Sequence, residues 1–262
     1  MKNFKKYTFE YILVLLAICL SITGFWEIYF GEKASPTTYQ NIHVIIILAW
    51  LALLLYQLNV IRKEQYGKHR KIGLSILFMG PLLFATVALL AVHSAHKGLV
   101  SGKGDFLIVQ NVMGALELGL VILMAFILKK KRKVHGAFLL STALLFIGIA
   151  LFFTLISFIP QYRIEGPETF YRFESAGITA SYICLFIGFI FFLKDWRNGW
   201  PLFVVSTFYT LNGFINMILM KNKYIQPLTE FVGSLNQVYT FLGSFIVLLV
   251  LLIFTGISKK GR

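Results

Sequence analysis

Two cysteines, six prolines and eleven carboxylates are all that 262 residues hold of those types, and each scarcity removes a class of protein. Cys19 and Cys184 both fall in the middle of apolar runs, so neither a disulfide framework nor a paired-cysteine metal site is implied. Charged residues make up 14% and come in short clusters between long uncharged stretches, whereas a soluble core would scatter them along every helix. No P-loop or nucleophile elbow occurs, which argues against the common ATPase and hydrolase classes. No lysine sits inside an apolar run, which argues against rhodopsin-like photochemistry, and no soluble domain or low-complexity segment interrupts the chain.

What is abundant is apolar: 58% of the residues are hydrophobic. A bilayer requires runs of about 20 uncharged residues, because its core holds no water to satisfy a stray charge. Eight such runs are expected, at 11–30, 42–61, 72–92, 106–128, 136–159, 175–193, 200–220 and 237–257. The fold class that follows is an all-α integral membrane protein, a single polytopic domain over 1–262. It forms a bundle of about eight transmembrane helices, with core helices over 42–159 and additional ones over 175–257. The first run follows Lys2, Lys5 and Lys6, yet it exceeds a signal core and lacks a small-x-small cleavage site, so it reads as a retained helix.

The formal charge of +14 does not point to nucleic acid, because the bases cluster at helix ends and no soluble face carries them. One set of loops contains Lys2, Lys5, Lys6, Arg62, Lys63, Lys68, Arg70, Lys71, the run Lys129 to Lys133, Lys194, Arg197, Lys259, Lys260 and Arg262. The alternate loops hold Lys33, Lys97, Lys103, Arg163, Arg172, Lys221 and Lys223. That bias predicts both termini on the cytoplasmic side of a bacterial cytoplasmic membrane, as an even number of crossings requires. The turns Gly67 to Lys71 and Lys131 to Gly136 each place a histidine at the start of a long apolar run, 66 residues apart, which suggests a duplicated helix pair.

Glu117 is the strongest single chemical signal, because it lies at the midpoint of 106–128, where an ionised carboxylate is costly and usually functional. Gln110, Gly114 and Glu117 share a stripe of that helix, and Tyr209 and Asn212 fall at similar depth. Two readings compete: a protonated acid tying two helices together, and a proton-relay or ligand-binding group in a polar cavity lined by Trp50, Gln57, Gln110, Tyr209 and Asn212. Trp50 is expected to pack on something planar or on Glu117. Trp26, Trp196 and Trp200 suit the interfaces.

The histidines sort by depth, with His43, His93 and His96 at the outer boundary and His69 and His135 at the cytoplasmic one. His43, His93 and His96, with Glu27 and Asp105, make a nitrogen–oxygen set that suits a transition metal. Alternatively His43 and His93 ligate one haem b, and His69 with His135 a second. Against the two-haem version, His69 and His93 are separated by roughly 36 Å of helix, beyond a hydrocarbon core of about 30 Å. The bland readings are interfacial histidines, a packing face of small and polar residues in 200–220, and a solvated loop at 161–174. That loop also has a livelier reading, a lid folded onto the bundle by Phe170, Tyr171 and Phe173.

His43, Trp50 and Gln57 sit seven residues apart, followed by Lys68-His69-Arg70-Lys71-Ile72-Gly73. With Gly24-Phe25-Trp26 and Lys133-Val134-His135, this resembles a group of multi-pass bacterial membrane proteins over residues 11–157. Their pattern is His…Trp…Gln on one helix and His-Arg-x-x-Gly opening the next. The resemblance implies a helical membrane fold and carries no assigned reaction. Histidine placement is also similar to that of four-helix haem-binding membrane bundles. Three functions follow: a haem- or metal-binding redox protein with a redox partner, a transporter or lipid-handling protein taking a small apolar ligand near Glu117, and a non-catalytic accessory subunit.

Overall fold

The computed structural model describes residues 7–32, 34–102 and 104–257, all helix and connecting turn, with no strand among them. The orientation residues Lys2, Lys5, Lys6, Lys33, Lys103, Lys259, Lys260 and Arg262 lie outside the described residues. Among the described residues twelve α-helices follow in order: α1 Thr8–Gly24, α2 Trp26–Tyr29, α3 Thr38–Arg62, α4 Tyr66–Gly73, α5 Ile76–Val100 and α6 Ile108–Ile127. After them come α7 Arg132–Phe158, α8 Tyr171–Lys194, α9 Trp200–Ser206, α10 Phe208–Lys221, α11 Ile225–Gly233 and α12 Gln237–Ile257.

Among the described residues seven segments are long and apolar enough to cross a bilayer: α3, α5, α6, α7, Pro167–Lys194, Trp200–Lys221 and Gln237–Thr255. The first expected run differs. It breaks at Phe25 into α1 and α2, and the 17 residues of α1 rise only about 25 Å. The third run shifts too. The basic turn forms its own helix α4, and α5 continues to Val100, so His93 and His96 are helical.

α7 is the axis of the bundle. It packs on α1, α3, α6, α8 and α9, and 72% of its most apolar window is buried. Close approach to α1 requires Gly24, since a Cβ there would run into the Ala150 backbone of α7. By contrast, the Gln237–Thr255 window is only 11% buried, and α12 lays its face on α5. Its Ile246, Val247 and Phe254, with Phe186 and Leu193 of α8, form an apolar outer surface of the kind lipid covers.

One end of the bundle gathers most of the basic turns. Lys194, at the end of α8, reaches Glu10 in the first turn of α1 at 2.7 Å, and Arg62, at the end of α3, lies over Tyr11. Lys129 donates to the Thr255 carbonyl near the end of α12, and Lys133 pairs with Asp195. At the other end the 161–174 segment folds back through Phe170 and Phe173, whose rings meet Phe106 and Phe152, while Tyr171 stays exposed.

Candidate functional site

The seven-residue stripe of α3 is a polar seam, and each member ties α3 to a different helix. His43 Nδ1 lies 3.1 Å from Thr86 Oγ1 of α5. Trp50, wholly buried, donates its indole N–H to Thr142 Oγ1 of α7 at 2.8 Å; its hydrogen-bond partner is a threonine rather than Glu117. Gln57 reaches α4, donating to the His69 carbonyl and accepting from the His69 ring. Threonine at the facing positions fits the need: its second hydrogen bond goes to its own helix, to the Leu83 and Leu139 carbonyls, so no hydroxyl is stranded.

The outer histidines do not converge. His43 faces Thr86, seven residues before His93 and so about 10 Å from it along the α5 axis. His93 instead packs on the Tyr39 ring, whose hydroxyl donates to Gln237 of α12 at 2.6 Å. His96 is exposed beside a cleft of about 600 Å³ formed with the α11–α12 turn. Asp105 is already used: its carboxylate accepts from the Leu107 amide and from Asn111, which fixes the start of α6. Among the described residues no group of three or more His, Cys, Asp or Glu side chains is placed to hold a metal ion.

His69 and His135 sit within electrostatic reach of one another. Burial, and then the nearby His135, hold the His69 imidazole below the ordinary value of 6.5. Each ring is anchored through Nδ1, His69 on Gln57 Oε1 and His135 on the Ala125 carbonyl at 2.7 Å. Both acceptors are oxygens without a proton to give, so each neutral ring carries its proton on Nδ1 and leaves the Nε2 lone pair unused.

Glu117 stands 5% exposed on α6. The Asn212 Nδ2 of α10, itself 2% exposed, donates to Glu117 Oε2 and to Gln110 Oε1, both at 3.3 Å. Glu117 Oε1 and Asn212 Oδ1 are buried without a hydrogen-bond partner. Tyr209, one turn earlier on α10, donates to the Leu145 carbonyl of α7 and lies within electrostatic reach of Glu117 and Cys184. Only glycine admits it there: a Cβ at Gly148 would enter the Tyr209 ring. So Gln110, Glu117, Tyr209 and Asn212 form one cluster between α6, α7 and α10, while Trp50 and Gln57 bond elsewhere.

Reasoning from the sequence missed Thr86, Thr142 and the Ala125 carbonyl as partners, and it missed the break at Thr207 that divides the 200–220 run into α9 and α10. The available signal was the pairing of a β-branched hydroxyl residue with an otherwise apolar helix face. Comparison with protein-family models, with curated proteins and with solved structures finds no match.

Proposed function

We propose that this is a proton-coupled membrane carrier of small apolar or amphiphilic molecules, in which Glu117 takes up and releases the proton. The carrying observation is the pair of orphaned acceptors. A buried acceptor without a donor costs about 1–3 kcal/mol, and here two lie on groups already joined by one hydrogen bond. One proton resolves both. With Glu117 protonated, its O–H donates from Oε1 to Asn212 Oδ1 while Asn212 Nδ2 donates to Oε2, closing a two-bond ring. Removal of that proton leaves two acceptors opposed in a medium of low dielectric, which drives Asn212 away.

Asn212 is the only fully buried residue of α10; Ile215 and Leu219 are partly buried and Leu211, Phe214, Met217 and Ile218 face outward. The helix follows a one-residue interruption at Thr207, whose backbone stays in the α region, and is held there by Tyr209. Loss of the Asn212 contact therefore frees α10 to swing from α6 about its first turn, opening the Glu117 cluster to the lipid phase. Buried acids within membrane-spanning segments recur as proton-handling groups in transporters. The layout that goes with this reading has α1 with α2 as the eighth crossing. The end gathering Glu10, α4, the 128–131 turn and Thr255 faces the cytoplasm of a bacterial cell, with both termini on that side.

The test is distance measurement between spin labels at the exposed positions Leu116 of α6 and Gly213 of α10, with Cys19 and Cys184 replaced. The separation grows on raising the pH through the Glu117 titration and stays short at every pH in Glu117→Gln. A separation indifferent to pH in the parent protein contradicts the proposal.

A second reading, a haem- or metal-binding redox protein, is favoured by one observation: the unused Nε2 atoms of His69 and His135. Ligating histidines carry their second-shell partner on the other ring nitrogen in this way. Absorption in the Soret region and metal analysis of the purified protein test it, and a colourless, metal-free preparation with both rings intact overturns it.

A further inference from the structure

The basic end of the bundle contains a cleft of about 580 Å³ between the α6–α7 turn and the α8–α9 turn, lined by Lys131, Arg132, Lys133, Arg197, Asn198 and Trp200, with Leu128 and Val134 beneath. We infer that this cleft binds the phosphate headgroup of an anionic phospholipid.

Four cations converge there, and the structure neutralises only one. Lys133 pairs with Asp195 at 3.1 Å, and Asp195 also accepts both bonds from Asn198, at 2.9 and 3.0 Å. The Asn198 amide, then Lys133, hold the Asp195 carboxyl below its ordinary value, so the pair stays ionised. Lys131, Arg132 and Arg197 have no carboxylate partner among the described residues; Arg197 lies over the Trp196 ring.

A second observation is independent of side-chain charge. Lys131, the residue that caps α7, makes no side-chain cap hydrogen bond, so the amides of Arg132, Lys133 and Val134 open the helix without a capping side chain. Those amides and the positive end of the longest helix in the molecule belong to residues that line the cleft.

The remaining lining separates a lipid from a soluble anion. Trp200 stands edge-on to Phe138 of the core, and with Leu128 and Val134 it gives the cleft an apolar floor at the ends of three segments of membrane-spanning length. A phosphate with acyl chains satisfies both halves; inorganic phosphate satisfies only the basic one. Basic pockets between helices at this membrane boundary recognise anionic headgroups on the same grounds. The alternative is the diffuse attraction that every basic turn exerts on an anionic membrane. The α4 turn, with Lys68, Arg70 and Lys71 all exposed, offers an internal control, since it carries similar charge outside this cleft.

The experiment measures binding of phosphatidylglycerol and phosphatidylcholine to the full chain in detergent by native mass spectrometry, with thermal melting in parallel. Variants are Arg132→Gln/Arg197→Gln in the cleft and Arg70→Gln/Lys71→Gln in the control turn. All four arginine and lysine side chains are exposed, so folding in phosphatidylcholine should be unaffected. Phosphatidylglycerol should bind the parent in preference to phosphatidylcholine and raise its melting temperature. The cleft variant, which removes two guanidinium groups, should lose that preference by at least about tenfold, the equivalent of one charge-assisted bond, while the control variant keeps it. Equal loss in both variants, or no preference in the parent, overturns the inference. Displacement of phosphatidylglycerol by millimolar inorganic phosphate would assign the cleft to a soluble anion and overturn the lipid.

Discussion

α7 and α10 both lie within apolar segments of membrane-spanning length, yet they are held in place by different physics. α7 buries fifteen residues, from Val134 to Leu155, and its neighbours interlock with it on several sides. α10 fully buries one, and that one is an asparagine. Lipid tails are as apolar as leucine, so burial alone gives a membrane helix little reason to choose protein over lipid. Close packing fixes α7 whatever the protonation state. The one residue that α10 buries fully makes a polar contact, which on the proposed function one proton makes or breaks.

The contrast can be broken at its strong side first. Leu144, fully buried on α7, should destabilise the bundle by about 2–4 kcal/mol when cut to alanine, read as a loss in unfolding free energy in mixed detergent. Asn212→Leu is next: it leaves Glu117 and Gln110 without their donor, and about 1–3 kcal/mol should be lost, chiefly as faster proteolysis or hydrogen exchange in α10.

A smaller effect comes from pH. Burial and His135 hold the folded His69 value below 6.5, so an opened state binds protons that the folded state resists. Stability is therefore complete above about 6.5 and falls as pH drops toward the lowered folded value. Melting temperature against pH checks this, and His69→Gln should flatten the curve. Glu117→Gln should change stability by no more than about 0.5 kcal/mol, since an amide pair keeps both bonds of the ring. Phe214→Ala on the outward face of α10, 59% exposed, should change it least.

Much of this layout was legible in the residues. Uncharged length points to eight runs, of which seven are segments of membrane-spanning length among the described residues, and the seven-residue spacing of His43, Trp50 and Gln57 marks a stripe that proves to be a seam. Glu117 stands out by depth, and Asn212, which falls at similar depth, donates to it and to Gln110 of the same helix stripe, with Tyr209 one turn away. Partner identity was not legible, because a stripe shows which side of a helix is polar and not which helix comes to meet it. His43 meets Thr86 rather than His93, because the α3–α5 register sets them about two turns apart. The breaks at Phe25 and Thr207 were hidden as well. Neither has a proline, and hydropathy continues across both.

The central claim is a proton on Glu117, and infrared difference spectroscopy reads it without knowledge of a substrate. A protonated Glu117 should give a carboxylic-acid C=O stretch at neutral pH that is absent from Glu117→Gln and shifts in Asn212→Leu. A Glu117 signal found only in the ionised carboxylate region would contradict it.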